Sequence, residues 1–421
     1  MISEFCLENF GPFKDRIVLD FRATKLKDTL DNLIQTPEGS SVLSSIAIFG
    51  PNASGKSCIV DALGLLSNLM RFPLPANIPM PYNPFRLSPD SKSAPTSMGI
   101  RLYFDRMLYD YNLSYTSQEV ISESLYYYPN NRRTKVFTRN RDKFSCSTGD
   151  SKVKLRNLVD MVGRNSTLIS VAAQFNHDVC RNAVSAVTDI TVLQGDMNSL
   201  LNSTVSEMER DPEFKNQVIE AMAVADFGID GINGSVREMR VSELEGAVPT
   251  QILGIMMATG NPKVNQIQLS ISHKVCTEHV TDTDRTFPYT MESSGTLRMI
   301  CIIGPVIHTL RSGGVLAIDE FGSYLDNDLC RWIVGLFSSN KNRSGAQLIF
   351  NTHNQLLMDT DSLLRRDQIY ITTKDRATQV ADLYSLAEFS IRKSYDPRKG
   401  FALGKFGGRP LIIDEGWLYP E

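Results

Sequence analysis

Two stretches far apart in the chain carry residue types able to handle a nucleoside triphosphate. Gly50-Pro51-Asn52-Ala53-Ser54-Gly55-Lys56-Ser57 fits the pattern G-x-x-x-x-G-K-[ST] without a substitution. Gly50, Asn52, Ser54, Gly55, Lys56 and Ser57 are its candidate phosphate-binding residues. The glycines let backbone N–H groups wrap phosphate oxygens, Lys56 neutralises β/γ-phosphate charge, and Ser57 offers a hydroxyl to Mg²⁺ at a helix N-terminus. The second stretch, Gly313 to Glu320, is a turn, an apolar strand and then two carboxylates. Asp319 is the candidate holder of a Mg²⁺-bound water, and Glu320 the candidate base that orients and deprotonates an attacking water. Adjacent acids at a strand end could simply be solvated, but a phosphate loop in the same chain favours the catalytic reading.

Three further sites complete the candidate chemistry. A strand over Gln347 to Asn351 delivers Thr352-His353-Asn354, where His353 could hydrogen-bond a γ-phosphate. Leu168 to Ala173 reads as a strand running into Gln174, which could reach Mg²⁺ or the attacking water, or only cap a turn. Ser294-Gly295-Thr296 opens the apolar helix Leu297 to Leu310, and a Ser-Gly helix start is an anion site. One subunit does not need this second phosphate-binding element.

The surrounding elements must position these residues. Ile46 to Phe49 reads as a buried strand and Cys58 to Leu63 as the helix after it, so the phosphate loop has the strand-loop-helix context it requires. Ahead of it, Ile2 to Phe5 and Arg16 to Phe21 form a strand pair turned by Asn9 to Phe13, able to flank a nucleotide base. Arg71 to Pro95 is rich in Pro, Asn and Ser and reads as irregular. Met98 to Phe144 alternates in short runs and predicts an antiparallel block. In its last hairpin Arg132, Arg133, Lys135, Arg139, Arg141 and Lys143 interleave with Phe137 and Phe144. That composition suits nucleic-acid contact, and equally suits strand edges guarded against pairing.

Residues 178 to 225 read as helical, Val264 to Ser272 as a strand, and Asp282-Thr283-Asp284 as a hairpin tip rather than a metal site. Basic residues recur from Arg365 to Arg409, a solvated face or a docking site. The fold class is α/β, with a mixed central sheet, an antiparallel β block and a helical lobe. Its parts are an N-terminal lobe (1–177), a helical insertion (178–262), a C-terminal lobe (263–385) and a basic tail (386–421).

At 421 residues, 42% hydrophobic and 22% charged, the chain can bury a large core. A net charge of −3 gives no global nucleic-acid signature. Seven scattered cysteines, odd in number and without a C-x-x-C pair, suit a reducing compartment and show no zinc-site pattern. The absence of a signal pattern and of a bilayer-length apolar run makes a cytoplasmic location, with no membrane partner, the expectation. No long heptad run supports a coiled-coil arm.

The order Gly50 to Ser57, Ser294-Gly295-Thr296, Ile318-Asp319-Glu320, Asp326 and His353 resembles ABC-type P-loop ATPase heads, with Walker A, signature, Walker B, D-loop and switch histidine in turn. More narrowly, Phe49 to Ser57, Glu292 to Thr296 and Phe401 to Pro410 are similar to RloA-type and OLD-like prokaryotic ATPases, the circle that holds AriA of PARIS defence systems. The resemblance implies ATP and Mg²⁺ bound between two copies, with Ser294 and Gly295 of one closing on the γ-phosphate held by Lys56 of the other. The signature departs from the transporters' Leu-Ser-Gly-Gly, and no motif marks the sensing glutamine. OLD nucleases continue into a Toprim domain, whereas this sequence stops soon after Pro410, so the expected nuclease acts in trans. These implications make the chain an ATP-hydrolysing sensor and scaffold of an antiphage system, a self-associating protein triggered by DNA or a phage protein. The rival is a RecF-like or SMC-like DNA-repair ATPase; a transporter ATPase subunit is a third reading.

Overall fold

The structure, a computed structural model, describes residues 1–26, 32–147, 154–195, 197–225, 227–240, 263–275, 285–338, 340, 342–390 and 395–408. The Asp282 and Asp284 pair, Arg392, Lys393 and Arg409 lie outside them. The chain divides into two compact units: 1–192 with 309–323 and 330–421, and 193–308 with 324–329.

Two sheets build the first unit. One is antiparallel: β1 (Ile2–Glu8), β2 (Ile17–Asp20), β6 (Thr96–Phe104), β7 (Met107–Tyr115), β8 (Val120–Tyr127), β9 (Thr134–Asn140) and β10 (Lys143–Cys146), in the order β10-β9-β8-β7-β6-β1-β2. Its period-two pattern buries Tyr109, Tyr111, Leu113 and Tyr115 and turns Asn112 and Ser114 outward. The other sheet is made of β5 (Ser45–Phe49), β11 (Ile190–Leu193), β15 (Val315–Ile318), β16 (Gln347–Asn351), β17 (Ile369–Lys374) and β18 (Ala381–Ser385), in the order β11-β15-β16-β5-β17-β18. β15, β16, β5 and β17 run parallel, and β18 closes the edge antiparallel. Every residue of β5, β15 and β16 is buried, as strands covered on both faces require. A small hairpin, β3 (Leu33–Gln35) with β4 (Ser41–Leu43), lies between β2 and β5 in sequence.

Helices α1 (Lys56–Arg71), α2 (Leu168–Gln174) and α3 (Asp178–Thr188) pack into one core with both sheets, through residues such as Ile59, Leu63, Leu168, Ile169, Cys180 and Ala183. Two expectations change here. Leu168 to Ala173 is helical rather than extended, because the buried Glu123 carboxylate accepts the N–H groups of Leu168 (2.7 Å) and Ile169 (3.0 Å) and so satisfies a helix N-terminus from β8. The expected lobe from residue 178 starts instead at Leu193, because α3 buries Cys180, Ala183 and Val187 in the first unit's core. The strand β11 follows at once.

Over its described part the expected basic tail keeps Lys399 and Lys405 exposed but is anchored by buried aromatic rings. α8 (Pro397–Ala402) buries Phe401, whose ring meets Phe49 at 6.5 Å between centroids, and Phe406 packs edge-on against Phe389 at 5.1 Å. Gly408 lies so close to β17 that a Cβ there would stand 2.8 Å from Ile371. Arg365, counted among the basic residues, is fully buried and forks onto Asp367 with 2.9 and 2.8 Å hydrogen bonds.

The second unit has β12 (Ile229–Arg240), β13 (Lys263–His273) and β14 (Thr286–Pro288) in one antiparallel sheet. α4 (Met197–Arg210) and α5 (Pro212–Val224) pack on β12, burying Val205, Met208, Phe214 and Val218. α6 (Ser294–Ser312) continues through Pro305. At Gly304 a Cβ would collide with Thr204, so the glycine is what lets α4 and α6 approach. α7 (Asn327–Ser338) follows β15.

Candidate active site

The phosphate loop leaves β5 and enters α1. Gly50 has φ +155° and a Cβ there would run into the Thr372 side chain; Gly55 has φ +101° and its Cβ would lie 2.8 Å from the Phe13 ring. Both positions therefore require glycine, for conformation and for space. The loop is braced from β17: the Ser54 hydroxyl meets the Thr372 hydroxyl at 2.5 Å, and Thr372 also donates to the Phe49 carbonyl at 3.2 Å. From the other side the β1–β2 turn supplies Pro12 to the cleft wall. No acidic residue occupies the first turn of α1, which leaves its positive end free to receive an anion.

Lys56 is 6% exposed, and its ammonium donates to the carbonyls of Gly50 and Pro51, each at 2.8 Å. Burial pushes its pKa down to about 8, against the pull of Asp319 and Glu320. A phosphate entering the loop would restore the charge compensation that burial removes.

Opposite the loop, β15 and β16 end side by side, their last paired residues being Ile318 and Phe350. Asp319 and Glu320 follow β15, and Glu320 takes a left-handed backbone with φ +52°. His353 follows β16; burial and the nearby Lys56 push its pKa below the ordinary imidazole value, against Glu320 and Asp319. A neutral imidazole can donate to a phosphate oxygen from one nitrogen. Asn52, Gly55, Lys56, Ser57, Glu320 and His353 thus share one cleft of about 520 Å³, all from the first unit.

Other candidates lie elsewhere. Ser294 and Gly295 start α6 in the second unit, with the Ser293 hydroxyl accepting the Thr296 N–H at 3.0 Å. Ser294 is exposed, and a Cβ on Gly295 would come 3.0 Å from the Tyr324 carbonyl, two residues before Asp326 in sequence. Just before them, Glu292 is held by His273 at 2.7 Å. Gln174 is the exposed last residue of a helix and does not line the cleft, so the sensing role drawn from a strand end loses its basis. In the basic hairpin, Arg139 and Phe137 are buried; Arg139 donates to the carbonyls of Ser166 (2.6 Å) and Arg141 (2.9 Å) and pairs with Glu123 at 3.8 Å.

Sequence reasoning missed Thr372 and Asn351. Each is a polar residue at the end of an apolar run, which is a signal, but which groups they touch depends on strand register. Asn351 donates to the Asp319 carboxylate and accepts the Glu320 N–H at 3.0 Å.

The donor set suits Mg²⁺, which keeps several waters and takes one or two protein oxygens beside substrate phosphates. Ser57, on the cleft wall, and Asp319, next to the cleft-lining Glu320, would be the residues to provide those oxygens, and among the described residues no group of three or more His, Cys, Asp or Glu gathers to make an all-protein metal cage. Among them, too, no helix is long and apolar enough to cross a membrane.

A family profile described as "AAA domain, putative AbiEii toxin, Type IV TA system" matches residues 45–359. No curated protein sequence matches. Solved structures with a similar course of chain include the SMC head domain from Thermotoga maritima, at 13% identity over 91% of this chain and 98% of that one, TM-score 0.41. The Smc head domain with an extended coiled coil, bound to the C-terminal domain of ScpA from Pyrococcus furiosus, is 11% identical over 96% and 98%, TM-score 0.44. The recombination mediator protein RecF of the RecFOR pathway is 13% identical over 91% and 98%, TM-score 0.38.

Proposed function

The chain belongs to this AAA-domain family, and we propose that it binds ATP in the cleft of the first unit and hydrolyses it to ADP and phosphate. One observation carries the reading: the phosphate loop and the residues able to activate water line a single cleft. Lys56 and the loop N–H groups hold the β- and γ-phosphates. Ser57 and Asp319 would hold Mg²⁺, which when bound compensates phosphate charge during transfer. Glu320 orients a water and takes its proton, while His353 donates to the γ-phosphate. Water activation and charge compensation come from different residues, so they can be separated by substitution.

Two copies joining around ATP, each offering Ser294 and Gly295 to the other's γ-phosphate, would give the exposed Ser294 and half-buried Gly295 a use the cleft of one copy does not. The family description, naming an AbiEii toxin of a type IV system, supports a place in prokaryotic defence. Within that place the OLD-like and PARIS-like resemblance favours a sensor and scaffold working with a separate Toprim-type nuclease. The rival DNA-repair reading leaned on the basic hairpin, and burial of Arg139 and Phe137 removes two of its members.

The test is the solution mass of Glu320→Gln with and without Mg-ATP, beside Lys56→Ala. Glu320→Gln keeps Lys56 and Asp319, so it should bind ATP, lose turnover and accumulate as an ATP-dependent assembly. Lys56→Ala should not bind. Turnover like wild type in Glu320→Gln, or normal ATP affinity in Lys56→Ala, would defeat the proposal.

A further inference from the structure

We propose that Asn351 sets the geometry of Asp319 and Glu320 together, as a positioning residue for the hydrolysis; this rests on the ATPase reading above. β15 and β16 are parallel and their mutual pairing ends at Ile318 and Phe350, so Asp319, just past the end of β15, lies beside Asn351, the last residue of β16, which is still paired with Ile48 of β5. There Asn351 makes three contacts with one short segment. Its Nδ2 donates to Asp319 Oδ1, its Oδ1 accepts the Glu320 N–H at 3.0 Å, and its carbonyl accepts the Phe321 N–H at 2.8 Å. The side chain is 1% exposed.

Each contact has a consequence for chemistry. Tying Asp319 Oδ1 fixes the carboxylate's rotamer at the end of β15. Holding the Glu320 N–H keeps that residue in a left-handed conformation that a non-glycine residue avoids when unsupported. The glutamate side chain then leaves the strand toward the cleft rather than along it. Of the side chains of this size, only an amide puts a donor and an acceptor on the same planar group. The orientation of the amide follows from its neighbours: the N–H₂ must face the carboxylate and the oxygen must face the N–H. A carboxylate at 351 would repel Asp319, and leucine would make neither contact. Asp319 and Glu320 after β15, Lys56 and Cys58 from α1 and His353 after β16 are among the charged and titratable groups around it.

Two variants and a charge swap test this. Asn351→Leu should lower kcat 10- to 100-fold, the usual cost of removing a group that orients a metal ligand. Its affinity for ATP without Mg²⁺ should stay within about twofold of wild type, because the phosphate loop is untouched. Asn351→Asp alone should lower the melting temperature of the nucleotide-free protein. The double variant Asp319→Asn with Asn351→Asp reverses donor and acceptor while keeping the acceptor for the Glu320 N–H, so the melting temperature should recover while turnover stays lost. Wild-type kcat in Asn351→Leu, equal losses of kcat and of metal-free ATP affinity, or a swap that recovers nothing would each overturn the proposal. If the wild type shows no turnover at all, the ATPase reading fails, and the nucleotide-free melting cycle still decides what Asn351 holds.

Discussion

Arg139 sits in what reads as a nucleic-acid hairpin, and replacing it should cost stability rather than binding. Its guanidinium is 2% exposed at the side chain and donates to four carbonyls: Ser166 at 2.6 Å, Arg141 at 2.9 Å, and Gly163 and Arg164 at 3.3 Å. It also faces the fully buried Glu123 at 3.8 Å. Methionine at 139 keeps the apolar stem and removes every donor, leaving the buried Glu123 charge with its hydrogen bonds from Leu168, Ile169 and Tyr111 but without its cation; breaking such a pair costs about 3–5 kcal/mol. At a urea slope of roughly 3 kcal/mol per M this moves the unfolding midpoint by about 1 M or more. Alanine at the exposed Arg132 or Lys143 should stay within about 0.5 kcal/mol. The loss should depend on pH. Burial already pushes Glu123 up, while the Leu168 and Ile169 N–H groups and Arg139 oppose it. Without Arg139 the folded pKa rises further above the unfolded one. The deficit is then full at pH above that raised value and shrinks as pH falls through it. Urea titrations from pH 8 to pH 5 read this. A loss below about 1 kcal/mol, or weakened DNA binding with unchanged stability, would refute the buried-pair argument.

Two further outcomes follow from the cleft. Gly50→Ala should weaken ATP binding at least tenfold in an equilibrium titration, because its Cβ meets Thr372 and its φ is unfavourable to alanine; affinity within about twofold of wild type would contradict the fit. ATP affinity should also fall as pH rises through about 8, since burial lowers the Lys56 pKa to that value and only the ammonium compensates phosphate charge. An affinity flat to pH 9.5 would mean that Lys56 is not the group in contact.

Much of the cleft was legible because its parts are local. Gly50 to Ser57, Asp319 with Glu320, and His353 each sit where an apolar strand ends, and a buried parallel strand announces itself as an unbroken apolar run. What could not be read depends on partners distant in sequence. Asn351 acquires its role from the register of β15 against β16, and Thr372 from β17 lying beside β5. Leu168 to Ala173 has a composition that fits a strand or a buried helix, and Glu123, 45 residues away, decides between them. Arg139 and Arg365 read as surface charge because the carboxylates that bury them, Glu123 and Asp367, carry no local mark as their partners. The aromatic packing of Phe401 and Phe406 was likewise hidden by the basic residues around them.

The order of the strands also bears on how the protein is made. β5 carries the phosphate loop, yet both of its sheet neighbours, β16 and β17, come from the last quarter of the chain. During synthesis at 5–20 residues per second, β5 leaves the ribosome roughly 15–60 s before either neighbour exists. A nascent chain therefore carries the whole phosphate-loop sequence without the strand that braces it through Thr372 or the one that delivers Asn351 and His353. On the ATPase reading, the growing polypeptide lacks the parts needed to hydrolyse ATP. It does expose an apolar strand with two open edges, a natural substrate for chaperones, and a gene truncated before residue 351 should yield an insoluble product rather than a weak nucleotide binder.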